Sequence, residues 1–83
     1  MGELSRLPNI GKVIEGQLND AGINTIDELM DLGSKEAWLR IREVDDSACI
    51  NRLMALEGAI QNIRWHDLSR EDKNKLKDFY NSI

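Results

Sequence analysis

Apolar residues recur every three or four positions along most of the chain. This spacing is typical of amphipathic α-helices, whereas the alternation of β-branched residues that marks strands is missing. Two to six residues separate most of the helical segments, and short connections of this kind favour neighbouring helices that pack together. The pattern therefore predicts an all-α fold, a compact bundle of about five short helices.

The first three predicted helices lie in the N-terminal half. The first runs from Ile10 to Ala21, with Asn9 placed to cap its N-terminus. Its apolar stripe consists of Ile10, Val13, Ile14, Leu18 and Ala21. A capping box, Thr25 with Glu28, starts a short second helix that stops at Gly33. Ser34 is predicted to cap a third helix, which carries Ala37, Trp38 and Ile41 at helical spacing.

The fourth predicted helix, residues 47–63, is the longest and most apolar and should form the centre of the core. Its stripe consists of Cys49, Leu53, Leu56, Ile60 and Ile63. A free cysteine on such a stripe is expected to be a buried structural thiol. Gly58 lowers helix stability by about 1 kcal/mol relative to alanine, so we expect it, with Ala55 and Ala59, to admit another backbone closely.

The fifth predicted helix begins at Ser69 and carries acids in its first turn, Glu71 and Asp72, which complement the helix dipole. Its narrow apolar stripe consists of Leu76, Phe79, Tyr80 and Ile83. The lysines of this segment are expected to face away from the core or sideways; they are Lys73, Lys75 and Lys77.

Length and composition indicate one globular domain, residues 1–83, with 41% hydrophobic and 31% charged residues. The longest apolar run has four residues, 53–56, far fewer than the roughly 20 that span a bilayer. The N-terminus lacks the apolar core of a signal peptide and the motif for myristoylation. With a single cysteine, these features lead us to expect a cytoplasmic protein without a membrane partner.

The net charge of −4 is unevenly distributed. Residues 1–46 carry ten acids and five bases, whereas residues 47–83 carry five acids and six bases. Phosphate neutralisation supplies most non-specific affinity for nucleic acid, so an acidic domain begins at a disadvantage. A strong basic patch would have to be assembled by folding.

Catalytic and metal-ligating patterns are missing from the sequence. Cys49 and His66 are separated by a predicted helix, and CxxC, HExxH and EF-hand spacings do not occur. We therefore expect no enzyme activity, no metal and no cofactor.

Glu57 breaks the apolar arc of the fourth predicted helix, where a carboxylate is costly unless it accepts hydrogen bonds. We expect it to be a structural polar residue that accepts bonds from the amides of another helix N-terminus or from the Trp65 indole. A ligand-binding role is the alternative.

The stretch LPNIGK resembles the turn of a helix-hairpin-helix DNA-binding element. Such a turn uses glycine because backbone amides near a helix N-terminus must approach a phosphate without an intervening side chain. Here Asn9 replaces the first glycine of the motif, Gly11 is the second, and Lys12 follows. Asparagine tolerates the left-handed conformation, so Asn9, Gly11 and Lys12 are the predicted nucleic-acid-binding residues. Acids, Glu15 and Asp20, stand on the following helix where such elements usually carry bases.

An ordered set of motifs covers nearly the whole chain: AGINTIDEL, LGSKEAW, and ALEGAI before RWHDL. From Leu7 to about Tyr80 the chain resembles the C-terminal domain of the TfoX competence-regulator family. The resemblance implies a helical domain with a helix-hairpin-helix-like (SAM-like) unit and a connection to the regulation of DNA uptake in bacteria. In those regulators a separate N-terminal domain normally precedes this one.

Two functional hypotheses follow. The first is a regulatory module that binds DNA weakly through Asn9, Gly11 and Lys12. The second is a protein-interaction module that presents the same helical scaffold to another chain and has no direct contact with nucleic acid.

Overall fold

The computed structural model describes residues 2–83, which form four α-helices and two short 3-10 turns. The helices are α1 (Lys12–Asp20), α2 (Ile26–Val44), α3 (Ile50–Gln61) and α4 (Arg70–Asn81). The first 3-10 turn is Glu3–Arg6 and the second is Trp65–Asp67. This part of the chain contains no strand, so the predicted all-α class is confirmed, whereas the predicted count of five helices is wrong.

The difference in count arises at Gly33. The two helices expected on either side of it belong to one element, α2, inside which Gly33 alone departs from helical geometry, with φ 81° and ψ 166°. A single left-handed glycine bends the chain without inserting a loop. One half of the predicted capping box is present at the start of α2, because the Thr25 hydroxyl accepts a hydrogen bond of 3.1 Å from the Glu28 amide, whereas the Glu28 carboxylate accepts from the Asn24 amide and the Thr25 hydroxyl rather than from the Thr25 amide.

Helix α1 begins two residues later than predicted, and its cap residue is Gly11 rather than Asn9. This shift changes the buried face. Val13 is 72% exposed, although it was expected on the apolar stripe, and Glu15 is buried in its place. Gly22, with φ 88°, follows the C-cap residue Ala21 and ends the helix.

Helix α3 is the centre of the core and packs against α2, α4 and the second 3-10 turn. Leu53, Leu56 and Ala59 are fully buried on it. Gly58 is buried as well, and a Cβ atom built there would lie 2.9 Å from the Ile63 carbonyl oxygen and 3.1 Å from the Trp65 Cα. The close approach predicted for this glycine is therefore present, and the approaching segment is the chain just after α3.

Cys49 is exposed, which contradicts the expected buried thiol. The physical reason is that α3 begins only at Ile50, so Cys49 occupies the cap position and its side chain lies off the apolar stripe. Its carbonyl oxygen instead accepts a hydrogen bond of 3.1 Å from the Trp38 indole.

Trp38 joins α2 to α4 across the core. It is 1% exposed, and its ring meets Phe79 and Tyr80 edge-on, with centroid distances of 6.2 Å and 5.6 Å. Ser69 caps α4 as predicted, since its hydroxyl accepts a 3.0 Å bond from the Asp72 amide. No helix within residues 2–83 is long and apolar enough to cross a membrane.

Gly58→Ala should lower the free energy of unfolding by about 1–3 kcal/mol, because the added methyl group collides with backbone atoms that cannot rotate away. Urea denaturation followed by circular dichroism measures the change. Gly16→Ala is the matched control, since a Cβ at Gly16 has no atom within 4 Å in the described part of the chain. The control should stabilise the protein by up to about 1 kcal/mol. Equal stabilisation by both substitutions would contradict the close approach at Gly58.

Candidate functional site

The turn before α1 has the features of a type II β-turn. The Ile10 amide donates a 3.4 Å hydrogen bond to the Leu7 carbonyl oxygen. Pro8 occupies the second position, and Asn9 follows in the left-handed region with φ 69°. A type II turn requires a positive φ at its third position, which glycine and asparagine supply most easily. The turn thus keeps its shape with asparagine in place of the glycine of the motif.

The side chain of Asn9 faces the protein. Its amide nitrogen donates to the carbonyl oxygens of Ile63, at 3.0 Å, and Ala55, at 3.4 Å. Its amide oxygen accepts a 3.2 Å bond from the Trp65 backbone nitrogen. Because Gly58 has no side chain, the Asn9 amide can lie against it, and a Cβ there would be only 2.6 Å from the Asn9 nitrogen. Asn9 therefore fixes the turn to the end of α3, a role that its predicted position as a helix cap did not reveal.

The N-terminus of α1 is exposed and lacks a side-chain cap. Gly11 and Lys12 both lie at the surface, and no side chain accepts a hydrogen bond from the start of the helix. Within residues 2–83, the amides of Lys12, Val13 and Ile14 donate no hydrogen bond, and the first paired amide is that of Glu15, to the Gly11 carbonyl oxygen. These free amides carry the positive end of the helix dipole.

The carboxylate of Glu15 is buried, so it places no exposed negative charge beside the N-terminus of α1. Glu15 is only 5% exposed, and its carboxylate accepts hydrogen bonds from the backbone amides of Gly2, at 3.3 Å, and Ser5, at 3.1 Å. The acid that stands where a base was expected is thus used to hold the first 3-10 turn against α1. Asp20 lies exposed at the far end of the helix.

An open groove of about 370 Å³ adjoins the turn. Its lining residues are Asn9, Ile14, Cys49, Asn51, Arg52, Ala55 and Trp65. Arg52 is held by Asp45 at 3.2 Å, and the half-buried Trp65 stacks on His66 with a centroid distance of 3.9 Å. Arg52 and Trp65 are more than 40 residues from Asn9 in the chain, so no local pattern could have placed them beside the turn.

Comparison with known proteins identifies the family. Residues 1–80 match the model of the TfoX C-terminal domain. The chain belongs to the TfoX C-terminal domain family. It is also 32% identical over 80 residues to Protein Sxy of Escherichia coli (strain K12), a match that covers 96% of this chain and 38% of Sxy. This TfoX C-terminal domain therefore corresponds to well under half of that relative's length.

Two solved structures from Listeria monocytogenes share the fold of this TfoX C-terminal domain. An uncharacterized protein in a triclinic crystal form is 59% identical with a TM-score of 0.93, over 95% of this chain and 90% of that one. A protein of unknown function in a tetragonal form is also 59% identical, with a TM-score of 0.94, over 96% of this chain and 98% of that one.

The helix-hairpin-helix unit implied by the resemblance is not shown by this structure of the TfoX C-terminal domain. Helix α1 follows the turn, but the element before the turn is a four-residue 3-10 helix, Glu3–Arg6, rather than an α-helix. The hydrogen bond from the Leu7 amide back to Leu4 closes that short element before Pro8. What the structure provides is the second half of the motif, the turn and the helix N-terminus.

Glu57 lies half-buried on the opposite side of α3 from the turn. Its carboxylate accepts hydrogen bonds of 2.6 Å from the Ser34 hydroxyl and 2.6 Å from the Gln61 side-chain amide. The partners foreseen from the sequence, helix amides or the Trp65 indole, are not its partners. Ser34 follows the bend at Gly33, so this contact joins α3 to the middle of α2.

Clusters of three or more histidine, cysteine or acidic side chains able to hold a metal ion do not occur in the described residues. Cys49 and His66 are both exposed, and neither donates a side-chain hydrogen bond to the other.

Glu57→Ala should lower the free energy of unfolding by about 1–2 kcal/mol, because it leaves the buried Ser34 hydroxyl without its acceptor. Glu57→Gln retains one carbonyl oxygen for Ser34 and should cost less. Thermal melts of both variants test this role. Unchanged stability in both would show that the contact with α2 contributes nothing.

Asp45 should make stability depend on pH in the acid range. Hydrogen bonds from the Ser47 side chain and backbone, and then the Arg52 guanidinium, hold the pKa of Asp45 below its usual value. A lowered folded-state pKa stabilises the protein above the unfolded value of about 3.9, and this contribution is lost as the pH falls through the folded pKa. The difference in Tm between the wild-type protein and Asp45→Asn should be largest near neutral pH and shrink below pH ~4.

The charge-matched control is Asp46→Asn, since Asp46 is exposed and accepts no side-chain hydrogen bond within residues 2–83. In Asp46→Asn the Tm should still fall below pH ~4 as it does in the wild-type protein. A Tm difference for Asp45→Asn that stays constant from pH 7 to pH 3 would contradict the assignment.

Proposed function

We propose that this domain is a non-enzymatic regulatory module that contacts duplex DNA weakly through the N-terminus of α1. The observation that carries the proposal is the environment of Gly11. Its φ of −93° is ordinary for any residue, and a Cβ built there has no atom within 4 Å in the described part of the chain. Neither backbone conformation nor packing requires glycine at this position, whereas the close approach of a phosphate does.

The neighbouring groups suit a phosphate. The unpaired amides of Lys12, Val13 and Ile14 point outward from a helix N-terminus, where anions bind favourably. Lys12 is exposed and adds one positive charge beside them. A single lysine and one set of amides neutralise few phosphates, so the affinity should be weak and should fall steeply with salt.

In this proposal the three predicted residues have different roles. Gly11 and Lys12 contact the phosphate, whereas Asn9 positions them. The Asn9 side chain has both amide atoms engaged by α3 and the chain beyond it, so it is not free to turn outward. The left-handed backbone of Asn9 sets the direction in which the chain enters α1.

The biological setting proposed for the module is the regulation of DNA uptake in the cytoplasm of a bacterium. This part of the proposal rests on the TfoX family and on the similarity to Sxy. The chain spans 38% of the length of Sxy, so the role of such a complete regulator is itself part of the proposal.

A protein-interaction module is the second candidate, and the groove beside the turn favours it. The groove is open and has a volume of about 370 Å³. Val13, 72% exposed, lies on α1 one residue before Ile14, which lines the groove. Exposed apolar side chains beside a groove are a common feature of protein-binding surfaces.

Fluorescence anisotropy of a labelled 20-base-pair duplex, titrated at low and moderate salt, tests the first proposal. Lys12→Glu should weaken binding by about tenfold at low salt, because it removes one phosphate contact and adds a repulsive charge. Gly11→Val should also weaken binding, since its side chain blocks the approach to the amides without changing the charge.

Arg40→Glu is the matched control for Lys12→Glu. Arg40 is exposed, and it shares a surface pocket with Asp20 and Ala21 at the C-terminal end of α1. The same change in charge there should have a much smaller effect. Equal losses at the two positions would indicate only a response to net charge, and no binding at low salt by the folded protein would favour the protein-interaction module.

A further inference from the structure

The outer surface of α4 carries positive charge without an intervening acid. We call this surface the α4 outer face; its residues, at helical spacings of three, four, seven and eleven from the first, are Arg70, Lys73, Asn74, Lys77 and Asn81. All are exposed except Lys73, which is half-buried. Three cations and two amide side chains thus form one stripe along a helix of 12 residues.

The three acids of α4, Glu71, Asp72 and Asp78, lie outside this stripe, although the exposed Asp78, four residues after Asn74, borders it. Glu71 pairs with Lys75 at 3.3 Å on a neighbouring face, and Asp72 accepts a 3.0 Å hydrogen bond from Gln61 of α3. Arg70 and Lys77 have no ion pair and no side-chain hydrogen bond within residues 2–83. Like charges on one helix face repel one another, and this repulsion lowers the stability of the helix. Within residues 2–83, no ion pair offsets the repulsion between Arg70 and Lys77.

The second 3-10 turn adjoins this positive surface. The Lys73 ammonium donates a 3.2 Å hydrogen bond to the His66 carbonyl oxygen, which ties the turn to α4. Arg64 is exposed immediately before the turn, and the exposed Asp67 is the one acid within it. Around the turn the charges of Arg64 and Asp67 cancel, so the basic surface is the α4 outer face itself, which the helical spacing within residues 70–81 brings together.

We infer that the α4 outer face is a second contact surface for duplex DNA, which binds the phosphate backbone through Arg70, Lys73 and Lys77. The stripe is about 10 Å long from Arg70 to Lys77, at 1.5 Å per residue. Arginine, lysine and asparagine side chains are common donors to phosphate oxygens in protein–DNA complexes. Asn74 and Asn81 supply neutral donors between and beyond the cations.

The same surface is poorly suited to a membrane or to a helical protein partner. Interfacial membrane helices place tryptophan, phenylalanine or leucine beside their basic residues. The α4 outer face has no apolar residue, because Leu76 and the aromatic residues of α4 face the core. Helix-in-groove recognition likewise depends on apolar anchors at helical spacing.

This inference rests on the proposed binding of DNA but concerns a different surface from the turn before α1. The salt dependence of binding distinguishes the two surfaces, because log K falls with log salt concentration and each lost phosphate contact makes this negative slope shallower by about 0.9. The variants to compare are Lys77→Gln and Arg70→Gln on the α4 outer face, Lys12→Gln at the turn, and Lys75→Gln as the control.

Lys75 is an exposed lysine of the same helix two residues from Lys77, so Lys75→Gln removes the same charge from a neighbouring face. We expect Lys77→Gln and Arg70→Gln each to weaken binding severalfold at low salt and to make the negative slope shallower by about 0.9. Lys75→Gln should leave the slope unchanged. Circular dichroism confirms that every variant is folded.

Three results would overturn the inference. In the first, Lys77→Gln and Arg70→Gln leave the salt slope unchanged, as Lys75→Gln does, while Lys12→Gln makes it shallower. DNA then binds at the turn alone, and only the α4 outer face is excluded as a contact surface. If no variant or wild-type protein binds DNA at low salt, both the inference and the proposed function fail. If vesicles of anionic phospholipid bind through Lys77 and DNA does not, the surface contacts membranes instead.

Discussion

The side-chain amide of Asn9 is the interaction on which the N-terminal half of this domain depends. It bridges two carbonyl oxygens and one backbone amide at the end of α3, all separated from it by more than 40 residues. Two of these groups, the Ile63 carbonyl oxygen and the Trp65 amide, lie just beyond the end of α3, whereas the Ala55 carbonyl oxygen lies within the helix. Gly58 makes the bridge possible, because any side chain at that position would occupy the space of the amide.

This bridge also determines what the turn exposes. With Asn9 turned inward and left-handed, Gly11 is the cap residue and α1 begins at Lys12, where no side chain covers the first amides. The buried carboxylate of Glu15 ties the first 3-10 turn to the same helix from the other side. The helix N-terminus is therefore held rigidly by its neighbours while its positive end faces solvent, which is the arrangement that a pre-organised anion site requires.

The fold places many of the acidic side chains of this domain against internal partners, so its surface charge differs from what the order of charges along the chain indicates. The chain is acidic as a whole, yet several of its acids are engaged by the protein itself: Glu15 with backbone amides, Glu57 with Ser34 and Gln61, and Asp45 with Ser47 and Arg52. Along α4, Glu71 pairs with Lys75 and Asp72 accepts a hydrogen bond from Gln61, so neither acid lies within the cationic stripe. Net charge alone therefore misjudges which partners an acidic domain of this size can approach.

The sequence was enough to predict the helical class, the family, the central position of α3 and the capping residues Thr25 and Ser69, because the family shows in ordered motifs and the other features depend on local periodicity and short-range hydrogen bonds. It also predicted the left-handed turn at Asn9 and the close approach at Gly58. The groups that contact those residues depend on how the helices pack: the Asn9 amide bonds to α3 and the chain just beyond it, Ser34 donates to Glu57, and Arg52 and Trp65 lie beside the turn. Exposure of Cys49 and Val13 was likewise decided by where α3 and α1 begin. The contacts join groups that are distant in the chain, and the exposures follow from a shift of one or two residues in the start of a helix. Local periodicity predicts neither long-range contacts nor the exact first residue of a helix.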